Sequence, residues 1–159
     1  MNATSPGALA AGITPDGKGF EEVTWNILGH KYYLKSECES SFSFETFDPP
    51  GTFVPPHIHP TQDEFIYMLE GSLDLYLDGQ RHKANPGDLV RMPRGIPHGY
   101  YNNGTVPARA LFWVSPARRL RELFDGLHNL EDINEVLRRS AECEVDFLAP
   151  DQVKVQMQP

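Results

Sequence analysis

The chain has 159 residues, 40% of them hydrophobic and 23% charged, which is the size and make-up of one globular domain and not of a disordered segment. Fourteen Lys and Arg against 22 Asp and Glu leave a formal net charge of -8, an acidic balance that argues against nucleic acid or an anionic membrane as the main partner. No run approaches the roughly 18 apolar residues of a membrane-spanning helix, the first ten residues lack the basic and apolar segments of a secretion signal, and Cys38 and Cys143 match no zinc or redox spacing and read as free thiols; a cytoplasmic location is expected by elimination.

Residues 1–19 are rich in Ala, Gly, Pro, Ser and Thr and read as a flexible N-terminal arm. Residues 20–150 read as a single domain, and 151–159 as a C-terminal tail. Strand signals begin near Glu22, with Val23, Trp25 and Ile27 alternating, and resume after Gly29 at Lys31 to Leu34. Phe42, Phe44 and Thr46 alternate next. Asp48-Pro49-Pro50-Gly51 marks a turn, and Pro55 and Pro56 keep 52–58 extended. Glu64 to Leu69 reads as a mostly buried strand. Leu73, Leu75 and Leu77 alternate with polar residues, and Asp78-Gly79 predicts a tight hairpin. Short strands follow at 89–92, 97–101 and 108–114. Around ten short strands with turn-rich joints predict an all-β fold, a closed antiparallel sandwich or barrel.

After Val114 the period changes. Ser115 is a candidate cap with Pro116 in the first helical position, and Leu120, Leu123 and Phe124 share a face. A second helix has Asn129 as candidate cap, Asp132 three residues on, and a stripe of Leu130, Ile133, Val136 and Leu137. Both helices, near 116–140, are expected to pack on the outside of the strands or at one end. Val145 and Phe147 predict a last short strand.

The chemistry concentrates around Pro56-His57-Ile58-His59. Residues two apart on a strand point to the same side, so both imidazoles can face one interior point. Glu64 follows across a short bend and can reach that point, and His98 lies on a later extended segment. Three imidazoles and one carboxylate suit iron, nickel, manganese, zinc, cobalt or copper, and four such ligands leave room for a substrate or dioxygen. A His-X-His pair alone also fits a solvated edge strand, and Glu64 alone a solvated strand end.

The two segments together resemble the cupin superfamily. The first reads Gly51, five residues, His57-Ile58-His59, four residues, Glu64, six residues, Gly71. The second reads Gly87, five residues, Pro93-Arg94-Gly95, two residues, His98, three residues, Asn102. The resemblance implies a jelly-roll-like β-barrel with one divalent metal ion inside, held by His57, His59, Glu64 and His98, with the helices packed outside it. It implies a structural Asn102 and a homodimer. A looser likeness, in Gly29 to Tyr32, Pro55 to His59, Phe112 to Pro116 and Val145 to Leu148, is to small cupins related to quercetin 2,3-dioxygenase.

On that resemblance the leading expectation is a dioxygenase using iron, nickel or manganese on a small aromatic or phenolic substrate bound through oxygen. Glu64 is then either a metal ligand or the base that takes the substrate's proton. The alternatives are a non-redox isomerase, dehydratase or lyase, and a ligand-binding protein without catalysis. Phe44, Phe53, Tyr67 and Met92 are candidate pocket residues, although alternation equally accounts for them as core. Gln62 and Asp63 either orient an imidazole or sit in a solvated loop. His30, His82 and His128 read as structural or solvent-facing.

Overall fold

A computed structural model describes residues 7–153. Among these residues eleven strands form two antiparallel sheets. The larger runs, in spatial order, β1 (Thr24–Ile27), β2 (His30–Cys38), β3 (Ser41–Asp48), β10 (Ala108–Ser115), β5 (Asp63–Glu70) and β8 (Leu89–Met92). The smaller runs β11 (Asp146–Phe147), β4 (Phe53–Ile58), β9 (His98–Tyr101), β6 (Leu73–Leu77) and β7 (Gln80–Ala84). Two helices, α1 (Leu120–Leu127) and α2 (Ile133–Glu142), follow β10.

Strict alternation on β10 buries Ala108, Ala110, Phe112 and Val114 and leaves their neighbours half-buried. Phe112 lies opposite Phe44 on β3 and Ile66 on β5, so three strands deliver large side chains at one level. The smaller sheet answers with Leu73, Leu75 and Tyr100. The Asp78-Gly79 pair has both φ angles positive, 49° and 80°, which closes the two-residue hairpin from β6 to β7 with the twist that flanking strands require.

The expected all-β closed barrel is not what forms. Among the described residues the fold is mixed and its sheets end in unpaired edges, β1 and β8 on one and β11 and β7 on the other. The alternating pattern fixes which face of each strand is buried, and it is the same for an open sandwich as for a closed barrel. The step from β7 to β8 shows where closure fails. Its turn is tied to β5, with Gly87 N donating to Met68 O and Met68 N to Asp88 O, so the chain changes sheet there without a ladder between them.

The helices are also not packed outside. Leu120, Leu123, Phe124 and Leu127 of α1 and Val136 of α2 are buried in the same core as Phe44 and Phe112. Phe124 meets Phe44 edge-on at 5.0 Å and Trp25 at 5.3 Å. Both helices therefore close one end of the space between the sheets. Asp132 caps α2, accepting from the backbone N–H of Asn134 and Glu135 at 3.0 and 3.3 Å. Asn129 instead takes a left-handed turn, with φ of 58°. Ile133 and Leu137 of the expected stripe are exposed, and Val136 with Ser140 forms the buried edge.

Residues 7–19 contain no helix or strand and run beside β2, with Glu39 N donating to Gly7 O and Thr14 Oγ1 to Lys35 O, each at 2.8 Å. Residues 1–6 of the expected arm and 154–159 of the expected tail lie outside the described residues. No helix among the described residues is long and apolar enough to cross a membrane.

Candidate metal centre

His57, His59, Glu64 and His98 converge between the sheets, with one donor atom from each lying within 4.8 Å of the others. All four are buried. The smaller sheet brings two of them directly opposite, because His57 on β4 is the register partner of His98 on β9. His59 follows at the end of β4, in a loop held by a hydrogen bond from Gly95 N to its carbonyl at 3.0 Å. Glu64 comes from the other sheet, as the second residue of β5, with Val114 and Met92 as its register partners.

Local sequence explains why the imidazoles turn inward. Pro55 and Pro56 cannot donate to a ladder, and the β4–β9 register shifts between Val54 and His57. That irregularity leaves the Pro55 carbonyl free to accept from His57 Nδ1 at 2.8 Å. Ile96 O takes His98 Nδ1 at 3.1 Å, and Gln62 Oε1 takes His59 Nδ1 at 2.9 Å. Each ring thus has its Nδ1 spent on an acceptor outside the cluster. The Nε2 lone pairs are left for the centre, the tautomer that metal-ligating histidines adopt. Glu64 Oε2 lies 3.0 Å from both His59 Nε2 and His98 Nε2.

The electrostatics follow from burial against pairing. Burial pushes His57 well below its ordinary value, and the neighbouring His98 and His59 push it further down, so it stays neutral. Burial works against charge on His59 too, but Glu64 and Gln62 outweigh it and raise this imidazole. Burial would raise the Glu64 carboxyl, and His59 and His98 overcome that and hold it well below the carboxylate range. Three nitrogen donors and an ionised oxygen donor, locked in orientation, fit a borderline divalent ion.

A cavity of about 100 Å³ opens beside the cluster. His57, His59 and Glu64 form one wall of it, and Phe44, Phe112, Phe124 and Phe147 much of the rest. Leu28 and Phe53, 44% and 55% exposed, lie on the same lining and mark where it reaches solvent. Of the four candidate pocket residues, Phe44 and Phe53 line this cavity, and Tyr67 and Met92 do not. Tyr67 has the opposite parity to Glu64 on β5 and is exposed. Met92 is buried core across the ladder from Glu64. A larger groove of about 1140 Å³ lies under residues 7–14, and none of the four donors borders it.

Two buried phenols share the cavity. Tyr32 and Tyr100 place their hydroxyls 2.6 Å apart, and burial above all raises both phenols, so they remain protonated. Behind them His30 Nδ1 meets Asp48 Oδ1 at 2.6 Å and His30 Nε2 meets Phe53 O at 3.1 Å. Asn102 is structural, its Nδ2 donating to Asp48 O and Val106 O. Gln62, which a solvated loop position also fitted, is buried and donates to the Pro116 and Ala117 carbonyls at 3.1 and 2.9 Å. Asp63 is the solvated neighbour, paired with Arg94 at 3.1 Å. The helical part of the cavity wall was missed at the sequence level. Its one signal was the apolar face of Leu120, Leu123 and Phe124.

Comparison with known proteins places this geometry. Residues 44–114 match the family model described as the cupin domain. The chain is 36% identical over 74 residues to the tetracenomycin polyketide synthase protein TcmJ of Streptomyces glaucescens, covering 46% of this chain and 50% of that protein. It is 42% identical over 50 residues to quercetin 2,3-dioxygenase of Bacillus subtilis, 31% of this chain and 15% of that one. The match thus spans about half or less of these curated relatives. The solved structure of KdgF from Halomonas sp. superposes with a TM-score of 0.61 at 18% identity, covering 70% of this chain and 99% of that one. Both motifs lie inside the matched stretch and their four donors converge on one point, so residues 44–114 of this chain form a cupin domain.

Proposed function

We propose that the protein is a metal-dependent dioxygenase that takes a small aromatic or phenolic compound through its oxygen. The observation that carries the reading is the orientation of the cluster: three Nε2 atoms and one carboxylate oxygen converge, with every Nδ1 satisfied elsewhere, on the wall of an apolar cavity. The likeness to a protein named quercetin 2,3-dioxygenase supports the oxygenase chemistry.

His57, His59, Glu64 and His98 would hold the ion. When bound, a divalent metal supplies Lewis acidity to a substrate oxygen and, if redox-active, electrons for dioxygen. The rest is done by the chain. Phe44, Phe112 and Phe147 give a flat-sided apolar wall against which a ring stacks and from which water is excluded. Glu64, ionised by its histidine neighbours, is the one carboxylate on the lining and receives the substrate's hydroxyl proton. The volume limits the substrate. An apolar cavity of about 150 Å³ holds benzene, so a space of about 100 Å³ takes at most one small ring and not a multi-ring flavonoid.

The test is metal content per chain beside a His98→Ala control, then turnover of a phenolic panel with and without dioxygen. About one iron, nickel or manganese per chain, lost in the control, with oxygen uptake matched to product, is expected. Product formed equally under strict anaerobiosis would assign a non-redox isomerase, dehydratase or lyase instead. Absence of metal, and of uptake from a metal panel, would sink both.

A further inference from the structure

The Tyr32 and Tyr100 hydroxyls present a proton count that does not close within the protein. Each phenol carries one O–H donor. At 2.6 Å from one another, one hydroxyl donates to the other. The second proton then has no acceptor among the described residues, since neither hydroxyl makes another hydrogen bond there. Both side chains are at least 95% buried, at 5% and 4% exposure, and both line the cavity that holds His57, His59 and Glu64. A buried donor without an acceptor is costly, which is why nearly all such groups find one.

The aim of the pair is fixed. Tyr100 and His98 share a face of β9, two residues apart, so their side chains start roughly 6.6 Å from each other along the strand. The His30 ring, held by Asp48 and Phe53 O, packs against Tyr32 and Tyr100 at 5.7 Å from each. Phe44 and Phe112 back the two phenols at 5.0 and 5.1 Å. The rings cannot swing away, and both phenols stay on the cavity lining.

We propose that the Tyr32–Tyr100 pair is an oxygen-recognition subsite: it donates one hydrogen bond to an acceptor oxygen at the far end of a small, otherwise apolar ligand. The ligand class is a one-ring compound or smaller with two separated oxygens, one at the histidine and glutamate cluster and one at the tyrosines. Only the first of those contacts rests on the metal reading. The second follows from the hydroxyl pair alone. Because either hydroxyl can be the free donor, the two are redundant.

The test compares cyclopentanone with methylenecyclopentane, the same shape without the oxygen, on the full chain prepared with and without zinc. The wild type is expected to bind the ketone roughly five- to tenfold more tightly, the worth of one neutral hydrogen bond, with a downfield shift of the labelled carbonyl carbon. Tyr32→Phe and Tyr100→Phe each keep that preference. The double variant loses it, while binding methylenecyclopentane as the wild type does. A preference that survives in the double variant overturns the proposal, as does a wild type that fails to prefer the ketone or binds neither compound. If the double variant does not fold, the wild-type carbonyl resonance decides: a free-solution value overturns the subsite and a downfield shift upholds it. Failure to take up zinc would count against the metal reading only, because the ketone preference is expected in the metal-free protein as well.

Discussion

Gln62 Oε1 accepts from His59 Nδ1 at 2.9 Å, and this one contact decides which nitrogen of His59 faces the cluster. The amide cannot flip, because its Nε2 donates to the Pro116 and Ala117 carbonyls, and a flipped amide would set oxygen against oxygen. Replacing it by Gln62→Ala frees the imidazole to rotate and change tautomer. Outer partners of this kind are worth about 10–100-fold in metal affinity. A competition titration with a chelator should show a loss of that size with one site per chain retained. Unchanged affinity would mean that the ring is held by packing alone.

The metal-free protein should be most stable near pH 6.5, with a decline on both sides. His57 is held well below its ordinary value of 6.5. As the pH falls under about 6.5, the unfolded chain therefore binds a proton that the native site refuses, and stability drops. Glu64, depressed below 4.5, extends that loss at lower pH, where the unfolded carboxyl protonates first. His59 is raised above 6.5. Its contribution is complete below that value and disappears as the pH rises through its folded value. Urea denaturation across pH checks this, and Glu64→Gln should flatten the alkaline limb. A metal-free stability that keeps climbing above neutral pH would contradict the His59–Glu64 pairing.

The four donors were legible because strand parity and spacing are local. His57 and His59 are two apart, and the glycines and prolines around them mark turns. What decided the rest is remote in sequence. Gln62 is ordered by carbonyls of Pro116 and Ala117, on the far side of six strands, and nothing near Gln62 signals them. Asn129 and Asp132 are both capping residue types, and only the left-handed turn at Asn129 assigns the cap to Asp132. Alternation in β3, β5 and β10 marks buried faces, but it carries no information on whether edge strands pair. It therefore could not separate two open sheets from a barrel. The apolar face of α1 was visible, though not what it covers.

Gly99 sits between His98 and Tyr100 and is needed for its lack of a side chain. A Cβ there would lie 2.8 Å from Val54 O, 2.9 Å from Pro56 N and 3.0 Å from Pro55 C, all of it backbone that cannot move aside cheaply. This close approach lets β9 press against the irregular stretch of β4 and sets His98 opposite His57. Gly99→Ala should cost about 1–3 kcal/mol by overpacking and weaken metal binding, through displacement of β4 from β9. Chemical denaturation and metal titration read the two effects. A stable variant with full metal affinity would show that β4 and β9 have slack where they cross at Gly99.

Phe124 tests whether α1 is part of the core or an appendage. Its ring touches Tyr32, Phe42, Phe44 and Trp25 at 5.2, 5.8, 5.0 and 5.3 Å, and it lines the cavity beside the cluster. Truncation of a buried phenylalanine costs about 3–5 kcal/mol where the surroundings cannot collapse, and three of the four rings it meets stand on β2 and β3, which pair on both sides. Phe124→Ala should lose stability in that range and melt well below the wild type. None of the four donors lies on α1, so the folded variant should still bind one metal per chain. The enlarged cavity should admit a bulkier ring than the wild type accepts, read as a gain in affinity for larger apolar probes. A loss under about 1 kcal/mol would mean that α1 packs as a surface element and that the end of the cavity is closed by something other than this helix.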